Sequence, residues 1–79
     1  MIADEVQMRV AQAIVPSTVV AQGDASRMEV VVVSSAFEGI SRVRKQQLVY
    51  SAIAELIATG ALHAVTIRAY TPAERAAES

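Results

Sequence analysis

Apolar residues recur at helical spacing at the start of the chain. Ile2, Val6, Val10 and Ile14 stand four apart, with Ala3 and Ala13 beside them, while Asp4, Glu5, Gln7, Arg9 and Gln12 fill the opposite side. This spacing predicts an amphipathic helix over 2–15. Asp4 and Glu5 fall in its first turn, where the helix dipole favours anions, and Pro16 is its stop. The pattern then changes to β-branched runs. Residues 18–22 (Thr-Val-Val-Ala-Gln) lead into Gly23-Asp24, a turn signal, and 28–34 read as a second strand paired with the first as a hairpin. Val30 to Val33 are apolar on both faces of that strand, as expected of a central position in a sheet.

Residues 34–39 form a connector with one helical turn around Ala36-Phe37, anchored by Phe37, the only phenylalanine, and released by Gly39. Ser41 is the expected N-cap of a long helix over 42–58. Gln46, Val49, Ile53, Leu56 and Ile57 form its inner stripe, and Gly60 caps its end. A third strand is expected over 63–70, with His63, Val65, Ile67 and Ala69 on one face and Ala64, Thr66, Arg68 and Tyr70 on the other. Pro72 ends that strand, and 71–79 read as a small, polar, mobile tail with one frayed helical turn. The order is α-β-β-(short α)-α-β, an α+β fold. Its three-stranded mixed sheet carries helices on one face, and the helical crossover makes strands two and three parallel. Val31, Val33, Ala64, Thr66 and Tyr70 would then lie on the other face, either as a contact surface such as a homodimer interface or under the first helix or the tail.

Composition narrows what this fold can do. With 79 residues the chain is a single domain, 53% apolar and 19% charged, and has neither cysteine nor tryptophan. A thiol nucleophile, a disulfide and a self-contained Cys-based metal or cluster site are therefore excluded. One histidine and scattered carboxylates lack the grouping that catalysis requires. No Gly-x-Ser-x-Gly elbow, phosphate loop or dinucleotide fingerprint is present, so the chain reads as a non-enzyme. The acidic first residues do not form a signal peptide, and no apolar run approaches membrane length, so a cytoplasmic protein without membrane partners is expected.

The formal charge is −1, without the basic surplus of a general nucleic-acid binder. Three of the seven basic residues, Arg42, Arg44 and Lys45, nevertheless stand together at the start of the long helix, followed by Gln46 and Gln47. That group has two readings: a solvated helix end, or a contact surface for a partner or for nucleic-acid backbone and base edges. The cations oppose the helix dipole at that end. His63, read from the residues alone, is a strand-start histidine bonded to nearby backbone, or one ligand of a site shared with a partner.

Val-Val-Val-Val-Ser-Ser-Ala-Phe-Glu-Gly (30–39), Leu-Val-Tyr (48–50), Leu-His-Ala-Val (62–65) and Tyr-Thr-Pro-Ala-Glu (70–74) together resemble the BolA family. The run Ser-Arg-Val-Arg-Lys-Gln-Gln-Leu-Val-Tyr (41–50) is most similar to its IbaG (YrbA) branch. The resemblance implies a class II KH-like fold and a cytoplasmic adaptor of monothiol glutaredoxins. Such adaptors share a glutathione-ligated [2Fe–2S] cluster with their partner and hold none alone; some are regarded as DNA-binding stress regulators. It also implies that His63 is the cluster ligand and that the thiolates come from the partner's cysteine and glutathione. Two positions depart from the family pattern. The hairpin segment Gln22-Gly23-Asp24-Ala25-Ser26-Arg27 has no His or Cys, leaving Asp24 as the alternative donor, a hard oxygen for a soft-ligand centre. Lys45-Gln46-Gln47 replaces the family's Arg-His-Arg.

Overall fold

The computed structural model describes residues 1–78. Helix α1 (Ile2–Ala13) leads through a connector to the hairpin β1 (Thr18–Asp24) and β2 (Arg27–Val33). A 3-10 turn (Ser35–Phe37), helix α2 (Arg42–Ala58), strand β3 (Val65–Tyr70) and helix α3 (Pro72–Glu78) follow. The sheet order is β1-β2-β3, with β1 antiparallel and β3 parallel to the central β2. The expected α+β architecture and mixed sheet are thus present.

The core lies between the sheet and α1 and α2. Val6, Val10 and Ile14 of the first segment meet Met28, Val30 and Val32 of β2, and Val49, Ile53 and Leu56 of α2 close the cluster together with Phe37 and Leu62. Alternation along β2 leaves Glu29, Val31 and Val33 on the other face, where they are only half-buried. Both long helices therefore pack on one face, and α1 does not cover Val31 and Val33. At one corner α3 reaches that face. The Arg75 guanidinium lies 5.3 Å from the centroid of the Tyr70 ring, and the Tyr70 hydroxyl donates to Glu78 Oε1 at 3.3 Å.

Several boundaries differ from the sequence expectation. Strand β1 runs on through Gly23-Asp24, the expected turn, so the turn is Ala25-Ser26 and β2 spans Arg27–Val33 rather than 28–34. Helix α1 stops at Ala13 rather than 15: Ile14 is already extended, and Val15, the residue before Pro16, is disfavoured in helical space by the proline ring. Strand β3 begins at Val65, not His63. The expected tail folds as helix α3, which starts with a reciprocal capping box. Thr71 Oγ1 accepts from Glu74 N–H at 3.1 Å, and Glu74 Oε1 accepts from Thr71 N–H at 2.8 Å. Thr71-Pro72-Ala73-Glu74 carries that signature in the sequence, with proline at the first helical position. Ser79 lies outside the described residues.

The same Glu74 oxygen accepts from Lys45 Nζ at 2.7 Å, which ties α3 to α2. Lys45 and the Thr71 N–H hold the Glu74 carboxyl below its ordinary pKa. A carboxyl that binds protons less readily in the folded chain contributes stability present at neutral pH and lost as pH falls through its folded pKa. Glu74→Gln is therefore expected to be less stable than the wild type at pH 7, with the difference closing in acid. Urea unfolding followed by CD across this range checks it; a constant gap would remove the ion pair as the cause.

Candidate functional site

His63 sits in the segment joining α2 to β3, and its position is set by its neighbours. Leu62, which is buried, bonds back to Leu56 O at 3.0 Å and anchors the chain after α2. The His63 N–H then donates to Ala25 O in the hairpin turn at 2.7 Å, and Ala64 O accepts from Met28 N–H at 2.9 Å. The backbone is thus pinned to the tip of the hairpin, while the imidazole is exposed and makes no hydrogen bond or ion pair among the described residues. His63 is therefore not a half-buried strand residue bonded through its side chain. It stands at the open end of the sheet beside the turn.

The hairpin tip is rigidly built. Asp24 Oδ1 accepts from Ser26 N–H (3.0 Å), Ser26 Oγ (2.6 Å) and Arg27 N–H (3.2 Å). These bonds, the Ser26 hydroxyl foremost, hold the Asp24 carboxyl below its ordinary pKa. That oxygen is committed to closing the turn. Among the described residues no group of three or more His, Cys, Asp or Glu side chains could hold a metal ion. A metal centre at this end of the sheet could take one imidazole from the chain, that of His63, and would need its remaining ligands from another molecule.

The basic start of α2 is divided by its helical geometry. Ser41 Oγ accepts from Arg44 N–H at 3.2 Å, as a capping serine should. Lys45 lies on the inner stripe with Val49, Ile53 and Leu56, only 7% exposed and paired with Glu74. Gln46 is half-buried, and its Nε2 donates to Ile67 O of β3 at 2.7 Å. Arg42, Arg44 and Gln47 are exposed, and neither arginine has a carboxylate within ion-pair distance among the described residues. The five residues read as one surface thus separate into two that tie α2 to its neighbours and three that face outward. Lys45 carried a legible signal, since it stands four residues before Val49.

A cleft of about 680 Å³ opens between the start of α2, the end of β3 and α3, and its lining includes Arg42, Lys45, Arg68, Tyr70 and Glu74. Glu74 was not singled out from the sequence, and its capping-box position would have identified it. A second groove of about 460 Å³ runs between the outer side of α2 and Ile67. No helix among the described residues is long and apolar enough to cross a membrane.

Comparison with known proteins places these features in a family. The family model for BolA-like proteins matches residues 2–74. The acid stress protein IbaG of Escherichia coli is 45% identical over 71 residues, which span 90% of this chain and 84% of that protein. Among solved structures, BolA1 from Arabidopsis thaliana superposes with a TM-score of 0.81 at 30% identity, covering 91% of this chain and 93% of that one. A BolA homologue from Coxiella burnetii gives 0.79 at 28% identity, covering 92% and 94%. The match runs through the core strands, α2, His63 and the capping box of α3, and on this evidence the chain belongs to the BolA family, on its IbaG branch.

Proposed function

We propose that this protein is a cytoplasmic, non-enzymatic adaptor that binds a monothiol glutaredoxin and contributes His63 as its one ligand to a shared [2Fe–2S] cluster. The observation that carries the reading is the exposed, unpartnered imidazole on a backbone pinned to the hairpin tip. A ring nitrogen is a sound ligand there, since imidazole replaces thiolate on one iron of some two-iron centres. The chain has no cysteine, so the partner's cysteine and glutathione supply every thiolate, and the isolated protein holds no cluster. The test is to mix the protein with glutathione-loaded [2Fe–2S] glutaredoxin and record visible absorption and CD. Wild type should shift the cluster bands, and His63→Ala, at an exposed position that leaves the core intact, should not reproduce that shift. An identical response from both would remove the ligand assignment.

A second reading, a DNA-binding stress regulator, is favoured by the two exposed and unpaired arginines at the start of α2. It relies on Arg42 and Arg44, because Lys45 is engaged by Glu74. Changing both to alanine should lower the slope of log affinity against log salt by about 1.8, at about 0.9 for each phosphate contact on duplex DNA. Absence of any mobility shift at low salt would exclude this reading.

A further inference from the structure

The outer edge of β3 carries backbone groups of which one, the Ile67 carbonyl, is bonded within the chain. Met28 N–H donates to Ala64 O and Ser34 N–H to Tyr70 O, and the parallel register between Met28↔Val65 and Val33↔Tyr70 is unbroken. Alternate residues of β3 therefore face β2, and Val65, Ile67 and Ala69 turn their N–H and C=O groups outward. Gln46 covers the Ile67 carbonyl. The outward groups of Val65 and Ala69 have no protein hydrogen bond among the described residues. Beside this edge lies the groove of about 460 Å³, walled by Arg44, Gln47, Tyr50 and Ser51 of α2 and floored by Ile67. Tyr50 is 45% exposed there.

We infer that this edge and groove accept an extended, acidic segment of a partner protein, added as a fourth strand beside β3. Strand addition uses main-chain bonds for affinity and side-chain pockets for selectivity. The outward residues from Val65 to Ala69 give about 13 Å of edge, enough for a segment of about five residues. Charge selects the occupant. Arg44 lies in the groove wall without a carboxylate within ion-pair distance among the described residues. A guanidinium prefers a carboxylate partner. A second copy pairing through its own β3 would bring Val-Thr-Ile-Arg-Ala-Tyr, which has no acid to offer, and the one acid of its other edge strand, Asp24 of β1, is engaged in closing the hairpin turn.

The experiment titrates the isotope-labelled protein with an acetylated, amidated seven-residue peptide alternating valine and glutamate. No glutaredoxin or cluster is present, so the outcome is separate from that of the His63 test. Exchange of the Val65, Ile67 and Ala69 amides should slow on binding. Replacing glutamate by lysine, or Arg44 by glutamate, should weaken binding about tenfold, the size of one charge-assisted hydrogen bond. Methylating alternate peptide nitrogens should abolish it while leaving the charge in place. Equal binding of the lysine peptide or of the methylated peptide would overturn the inference, as would unchanged amides. So would concentration-dependent protection of the same amides without peptide, which would put a second copy at the edge.

Discussion

Phe37→Ala is expected to remove a large part of the domain's stability. The ring is 1% exposed and belongs to the single core cluster formed by the sheet, α1 and α2. Removing a buried aromatic ring costs about 3–5 kcal/mol, from lost transfer energy and the cavity left behind. A domain of 79 residues, at roughly 0.05–0.15 kcal/mol per residue, has on the order of 4–12 kcal/mol in total. The local backbone offers little room to collapse. Phe37 N–H bonds to Ser34 O at 3.2 Å, Ile40 N–H bonds to Phe37 O at 3.0 Å, and the Ser34 hydroxyl both accepts from Ala36 N–H and donates to Pro16 O. The 3-10 turn is thus clamped on both sides, and the cavity would persist. Urea unfolding by CD should show the transition displaced to markedly lower denaturant. A loss below about 1.5 kcal/mol, typical of volume-conserving core changes, would show that the ring is not an anchor.

Gly23→Ala is expected to disrupt the hairpin and with it the platform for His63. Two-residue hairpin loops usually place positive φ within the loop. Here the loop residues Ala25 and Ser26 have negative φ, and Gly23, one residue before Asp24, adopts φ +119. A Cβ at Gly23 would also stand 2.1 Å from Arg27 O, a backbone atom that cannot move without opening the β1–β2 ladder. The backbone conformation alone is worth about 1–3 kcal/mol, and the collision adds to it. Gly60→Ala is the control. It has φ +81 but nothing within 4 Å of its Cβ, so only the backbone preference is lost. Thermal unfolding should rank Gly23→Ala well below Gly60→Ala, and the His63 amide should move in the NMR spectrum only for the former. Equal losses would show that the close approach to Arg27 does not constrain the turn.

Much of the frame was legible from local pattern. The four valines of β2 read as a central strand and occupy one, and the Ser41 cap and Val49, Ile53 and Leu56 of the inner stripe lie where periodicity put them, although Lys45 rather than Gln46 takes the first buried position of that stripe. What escaped depends on contacts between distant elements. Lys45 reads as part of a basic patch until Glu74, 29 residues later, turns it inward. The last residues read as a tail because they are small and polar, although the Thr71–Glu74 box specifies a helix and its Glu74 finds Lys45. His63 fits the alternation of β3, but its N–H is taken by Ala25 of the hairpin instead, which removes it from the strand and leaves its side chain exposed. At the site, the residue type and its neighbours could be read from the chain; their approach to the hairpin tip could not.

The most direct test of the cluster-ligand assignment uses the fact that this chain has one histidine. The protein is labelled with ¹⁵N only in its histidine ring, mixed with unlabelled glutathione-loaded [2Fe–2S] glutaredoxin, and reduced to the paramagnetic state. Pulsed EPR should then show ¹⁵N hyperfine coupling of a directly bound imidazole, absent from the His63→Ala mixture. A mixed, reduced cluster without ¹⁵N coupling from the labelled chain would contradict His63 as the ligand.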